Sequence, residues 1–211
     1  MISERISIWI RGHALVVGRA LASLGLTANA LTVMGLILNV GVAIVIAVGY
    51  PRWGGALLLV AGGFDMLDGA VARATGTTTR FGGFLDSTLD RYSESVVFAG
   101  LLIYLLGTGD AELGAFLVFV AAIGSLMISY ARARAEAAGW TASVGLVARP
   151  ERIVLLAVCL LIGRPLWALW ALAITTHVTA ATRIVHVWRL SRRELAPGTA
   201  SDGAIRESRS P

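Results

Sequence analysis

Phe64-Asp65-Met66-Leu67-Asp68-Gly69-Ala70-Val71-Ala72-Arg73, followed after a short polar turn by Gly82-Gly83-Phe84-Leu85-Asp86-Ser87-Thr88-Leu89-Asp90-Arg91, is the stretch whose chemistry decides what kind of protein this is. Four aspartates fall within 26 residues, inside or beside apolar runs long enough to cross a bilayer. A carboxylate in such a place costs on the order of 3 kcal/mol by insertion scales, so it needs a compensating partner. Asp65 and Asp68 are spaced i,i+3, and Asp86 and Asp90 are spaced i,i+4, which puts each pair on one helical face. A short turn between antiparallel helices lets the two faces oppose each other. Four converging carboxylates repel unless cations sit between them, and oxygen-only donors suit Mg²⁺, Mn²⁺ or Ca²⁺ rather than Zn²⁺. The competing reading is an ion-pair cluster neutralised by Arg73, Arg80 and Arg91. Gly69 speaks against it, because a structural ion pair has no need of a residue that lets a ligand approach the backbone.

The rest of the chain supplies the membrane. Of 211 residues, 56% are apolar and 15% charged, with a mean hydropathy of +0.76. That excludes a water-soluble globule and a disordered chain alike. Six runs approach the roughly 20 residues a spanning helix needs: Leu31–Tyr50, Trp53–Arg73, Gly82–Leu106, Ala111–Ala133, Arg152–Gly163 and Pro165–Val187. The expected fold class is therefore all-α, a polytopic membrane protein of six transmembrane helices. Residues 1–26 alternate Arg5, Arg11 and Arg19 with Ile6, Ile8, Trp9 and Val16, a pattern of an interfacial amphipathic helix and not of a cleaved signal. One membrane domain over 1–193, with its six-helix bundle over 27–193, precedes a polar tail at 194–211.

All 18 basic residues are Arg, and with 13 acids they leave a net charge of +5. Arg5, Arg11, Arg19, Arg73, Arg80, Arg132, Arg134, Arg149, Arg152, Arg189, Arg192 and Arg193 fall on one face of a six-span layout, against Arg52 and Arg164 on the other. By the positive-inside rule the site and both termini are expected on the cytoplasmic side of the cell membrane. No soluble segment is large enough for a duplex, so no nucleic-acid partner is expected. Cys159, the single cysteine, lies in an apolar run and excludes an internal disulfide. Glu94 stands three residues after Arg91, which predicts a pair on the surface of one helix.

Asp65, Asp68, Gly69, Ala72, Arg73, Gly82, Asp86 and Asp90 match the pattern D-x2-D-G-x2-A-R-x8-G-x3-D-x3-D position for position. The chain thereby resembles the CDP-alcohol phosphatidyltransferases. Asn29-Ala30-Leu31-Thr32, followed by Gly35, resembles that family's entry to its first span, although Ala28 stands where many members have Pro. The resemblance implies a Mg²⁺-dependent homodimer, with Mn²⁺ the other candidate and two ions per site. It would join an alcohol to the lipid phosphate of a CDP-lipid and release CMP. Asp65, Asp68 and Asp86 would hold metal, with Asp90 as shared ligand and general base. Asn29, Ala30, Leu31, Thr32, Gly69, Arg73 and Thr79 would contact the CDP-lipid.

Arg149-Pro150-Glu151-Arg152 resembles the branch of the family that uses inositol phosphate. By that resemblance Arg134, Arg152 and Arg183 would hold the acceptor's phosphate, with Arg at position 134 where that branch carries Lys. Guanidinium forks suit phosphate oxygens. Arg132 and Arg149 are explained by topology alone, whereas Arg183 interrupts an apolar run and needs an internal partner. Two rivals stay open: a relative acting on glycerol 3-phosphate, and a divalent-cation channel or transporter whose acids select the ion.

Overall fold

A computed structural model describes residues 18–194. Among them the architecture is entirely helical: a short helical segment at 18–23, then α1 (Ala28–Ala47), α2 (Pro51–Phe64), α3 (Leu67–Thr75), α4 (Arg80–Leu106), α5 (Ala111–Ala137), α6 (Arg149–Leu161) and α7 (Pro165–Glu194). The expected amphipathic helix falls mostly on residues 1–17, outside the described part, as does the tail beyond Glu194.

Local chemistry sets the boundaries. Thr27 caps α1 by accepting the Ala30 amide at 3.2 Å, and Thr79 caps α4 by accepting the Gly82 amide at 2.9 Å. α3 ends in Gly76 at φ 67°, the left-handed conformation that glycine adopts without strain. α6 starts with Pro150 in its first turn, and the Glu151 carboxylate accepts the Ala148 amide at 2.7 Å. Short connections at 48–50, 107–110 and 162–164 make sequential helices antiparallel neighbours, whereas 138–148 forms a longer non-helical crossing.

Four segments are long and apolar enough to cross a membrane: α1, α2 with α3 (Pro51–Thr75), α5 and α7. They mark this as a membrane protein. α4 carries Asp90, Arg91 and Glu94 along its length, and α6 has only 13 residues, so neither qualifies by length and composition. The predicted second span is also interrupted: it breaks at Asp65–Met66, where the Met66 amide bonds back to Gly63 at 3.3 Å and α3 begins anew.

α1 packs chiefly on α4, α5 on α7, and α2 on α6. Lipid tails are as apolar as leucine, so close van der Waals packing holds these helices together more than expulsion of apolar surface. Small residues permit it. A Cβ at Gly55 would lie 2.7 Å from the Ala157 carbonyl oxygen, and one at Gly100 would strike the backbone of Ala43. The core between them holds Ile46, Leu58, Phe98, Leu101, Leu117, Leu160 and Leu169. Large apolar side chains such as Ile37, Trp53, Phe119 and Ile174 face outward, an arrangement suited to lipid and not to water.

Candidate active site

The site gathers at the end of the bundle where α1 begins, α3 turns into α4, and α6 starts. Asp65 caps α2, and Asp68 lies in the first turn of α3, where the helix dipole favours negative charge by roughly 0.3–1 kcal/mol. The Thr32 hydroxyl on α1 donates to Asp68 Oδ2 at 2.8 Å while Asp68 is almost wholly buried. Gly35, one turn further along α1, leaves room for Asp65: a Cβ there would lie 2.7 Å from Asp65 Oδ1. Gly82 does the same for α4, since its Cβ would lie 3.1 Å from Thr79 Oγ1 and 3.3 Å from Asn29 Oδ1.

A cavity of about 200 Å³ opens between these elements and is lined by Asn29, Thr32, Asp68, Gly69, Thr79 and Asp86, with Ala28, Ala72, Thr77, Thr78, Gly82 and Gly83 completing the wall. Of the residues expected at the donor lipid, four line this cavity. Ala30 and Leu31 do not, and Leu31 is 1% exposed, in the core beneath it. Arg73 stays outside the cavity wall and lies over Gly69, where a Cβ would stand 3.1 Å from its Nη1.

The four carboxylates share this end of the bundle without gathering round one centre. Asp68 and Asp86 face the cavity. Asp65 and Asp90 are clasped by one guanidinium: Arg149 Nη2 reaches Asp65 Oδ2 and Nη1 reaches Asp90 Oδ1, both at 2.7 Å. Among the described residues no three acidic, His or Cys side chains lie close enough to hold one ion. The donor set nevertheless fits a hard divalent cation, because it offers carboxylate and hydroxyl oxygens from α1, α3, α4 and the end of α2, and no nitrogen or sulfur.

Arg149 is the residue that topology alone undervalued. It was expected to mark the inner face, yet it reaches the centre of the motif, 84 positions from Asp65 in sequence. Glu94 corrects a second expectation. Its carboxylate pairs with Arg152 and not with Arg91, by Nε at 2.8 Å and Nη2 at 3.0 Å. Arg91 instead turns back along its own helix to the Ser87 carbonyl, with Asp90 Oδ2 at 3.6 Å.

The three arginines assigned to an acceptor phosphate are not in one chamber. Arg134 and Arg183 line a cavity of about 390 Å³ with Tyr130 and Trp140. Arg152 lies with Arg149, Glu94 and Asn39 around a separate void of about 20 Å³. Arg183 finds the internal partners its position demanded: Nε donates to the Val144 carbonyl at 2.9 Å and Nη1 to the Ile128 carbonyl at 2.6 Å.

Comparison with known proteins settles the family. The family model described as CDP-alcohol phosphatidyltransferase matches residues 25–188. The chain is a CDP-alcohol phosphatidyltransferase. This transferase is 37% identical over 169 residues to archaetidylinositol phosphate synthase of Pyrococcus horikoshii, covering 80% of this chain and 87% of the relative. It is 41% identical over 181 residues to phosphatidylinositol phosphate synthase of Mycobacteroides abscessus, covering 82% and 81%. Its fold superposes on the crystal structure of Mycobacterium tuberculosis phosphatidylinositol phosphate synthase with CDP-DAG bound, with a TM-score of 0.78 at 31% identity, over 88% of this chain and 95% of that one. The same mycobacterial enzyme in complex with manganese and citrate gives a TM-score of 0.78 at 32% identity, over 88% and 90%.

Proposed function

We propose that this enzyme transfers the phosphatidyl-type group of a CDP-lipid to a hydroxyl of inositol 1-phosphate, giving a phosphatidylinositol phosphate and CMP. Support for the donor comes from the cavity that joins Asn29, Thr32, Gly69 and Thr79 to two motif aspartates, together with similarity to an enzyme crystallised with CDP-DAG. Support for the acceptor comes from relatives named for inositol phosphate products and from the Arg149–Arg152 stretch, whose side chains reach the motif helix α4. That stretch is the observation that carries the reading, because Arg152 brings a guanidinium to α4 one turn beyond Asp90, and positive charge there favours a phosphorylated acceptor.

Asp65, Asp68, Asp86 and Asp90 would hold divalent metal, two Mg²⁺ ions with Mn²⁺ as the substitute, an assignment supported by the manganese complex of the relative. When bound, such ions supply Lewis-acid polarisation of the diphosphate and neutralise charge on departing CMP. The chain's own residues do the rest. Asn29 and Thr79 flank the CDP portion, and Gly69 admits it close to the backbone of α3. Leu31 and Ala30 fix the entry of α1, and Arg73 contacts the lipid phosphate from the cavity edge. Asp90 accepts the proton of the attacking inositol hydroxyl as its oxygen bonds to the lipid-bearing phosphorus and the bond to the CMP oxygen breaks. Arg134 and Arg183, which line one cavity, take the acceptor's phosphate, and Arg152, held by Glu94 around a separate void, adds its charge to that end of the bundle.

The same reading has α4 and α6 crossing the bilayer with the four more apolar segments, since α4 packs against α1 and α5 and α6 against α2 and α7. Six crossings put both termini and the site on the cytoplasmic face of the cell membrane. The membrane domain spans 1–193, with residues 1–26 as a juxtamembrane helix and 194–211 as a tail, and the enzyme works as a homodimer. The test is to offer labelled inositol phosphate and glycerol 3-phosphate in parallel, with CDP-diacylglycerol and CDP-archaeol, and to separate the lipid products. Phosphorylated inositol lipid is the expected product. Incorporation of glycerol phosphate alone would transfer the assignment to that acceptor, and cation flux in liposomes without CMP release would favour a channel.

A further inference from the structure

Arg149 does something the reaction as written does not require. A single guanidinium spans two motif aspartates from different helices, with one 2.7 Å contact to each. Its third donor, Nε, is buried and has no partner. A guanidinium satisfied on all sides would be a structural fixture. This one leaves a donor unmet to keep both ends on carboxylates, so charge holds it there. The neighbouring acids explain the pull: Asp86 stands within electrostatic reach of Arg149 and Asp68 within reach of Asp65, and a half-buried group of carboxylates is unfavourable without a cation.

We infer that Arg149 is the site's resident counter-cation, clasping Asp65 and Asp90 until a divalent ion enters and displaces it. The inference rests on the proposal that these carboxylates bind metal. A guanidinium and a hard ion compete for the same lone pairs, since Mg²⁺ takes its oxygens at about 2.0–2.1 Å in near-octahedral geometry and tolerates no group between them. The exchange is favourable in charge, because one positive charge serving two carboxylates gives way to two. Arg149 is also placed to leave. It is the first residue of α6, directly after the non-helical segment 138–148, and its side chain is 20% exposed. Arg152, one turn on, differs: its side chain is 4% exposed and both its Nε and Nη2 are engaged by Glu94, so it stays when Arg149 moves. Metal loading therefore releases a second guanidinium next to a fixed one.

The test uses the full chain in detergent, stripped with EDTA and then titrated with Mn²⁺, whose binding is followed by electron paramagnetic resonance. Arginines are labelled with phenylglyoxal and read by mass spectrometry. Arg149 is expected to be protected without metal and to label about fivefold faster or more once Mn²⁺ saturates, with Arg152 protected throughout. Arg149→Met is expected to bind Mn²⁺ about tenfold tighter, since no internal cation has to be displaced. Its midpoint of thermal unfolding should fall in EDTA and return to the wild-type value in Mn²⁺. If Mn²⁺ binds the wild type while Arg149 stays protected, or if Arg149→Met loses the same stability with and without Mn²⁺, the displacement is wrong and the metal site stands. If Mn²⁺ does not bind the wild type at all, both readings fall.

Discussion

Glu94 on α4 and Arg152 on α6 form a two-pronged ion pair, with contacts of 2.8 and 3.0 Å, across 58 residues of sequence. Both side chains are well buried, at 15% and 4% exposure. Removing one partner of such a pair leaves an uncompensated charge and costs about 3–5 kcal/mol. Glu94→Gln should therefore lower the thermal midpoint of the detergent-solubilised enzyme substantially, and Glu94→Met combined with Arg152→Met should recover much of that loss. A single variant as stable as wild type would show that the pair contributes nothing to holding α6 in place beside α4.

Asp90→Asn keeps the shape and hydrogen-bonding reach of the side chain but removes its capacity to take a proton. CMP release should fall by about 10²–10⁴-fold, the usual contribution of a general base. Binding of the CDP-lipid, measured by equilibrium titration with a non-transferring analogue, should change little. A variant that turns over at near the normal rate removes Asp90 from the base role.

Thr32 is tied to Asp68 by a hydroxyl donating at 2.8 Å. A hydrogen bond to a charged group contributes about 1.5–3 kcal/mol, so Thr32→Val should weaken kcat/KM by tenfold or more, and Thr32→Ser should keep most of it. Equal activity in both variants would show that the hydroxyl does not orient Asp68.

Gly35 and Gly41 lie on the same helix and make a matched pair. A Cβ at position 35 meets Asp65 Oδ1 at 2.7 Å, whereas one at position 41 meets nothing within 4 Å. Gly35→Ala should displace the Asp65 carboxylate and depress CMP release strongly, with the protein still inserting. Gly41→Ala should leave activity unchanged and, by helix propensity, stability unchanged or slightly higher. Activity in Gly35→Ala equal to that of Gly41→Ala would show that Asp65 can be moved without consequence.

If the carboxylates bind metal as proposed, chelation with EDTA should abolish CMP release, and Mg²⁺ or Mn²⁺ should restore it. Zn²⁺ should restore little, because the donors are all hard oxygens and a zinc site prefers nitrogen or sulfur. Undiminished turnover after exhaustive chelation would remove the metal from the mechanism.

Much of this was legible in one dimension because helices repeat every 3.6 residues. The apolar runs located most of the helices, and the polar turn through Thr79 and Arg80 marked where α3 gives way to α4. The spacing that paired Asp65 with Asp68 and Asp86 with Asp90 did not decide which acids face together: Asp68 and Asp86 line the cavity, and Asp65 and Asp90 meet Arg149. The break at Asp65–Met66 was not legible, since no proline marks it and Trp53–Arg73 reads as one span despite its two acids.

Partner choice divides along the same line. Sequence spacing can propose only local pairs, and so it offered Arg91 to Glu94 and left Arg149 to topology. In three dimensions α6 brings Arg149 and Arg152 against α2 and α4, where longer reach and burial favour them over the neighbour one turn away. Residue type and spacing determined that this protein would carry carboxylates into a membrane; which cation answers each of them was decided by the packing of helices distant in the chain, because electrostatic attraction depends on separation in space and on burial, and neither is written in the order of residues.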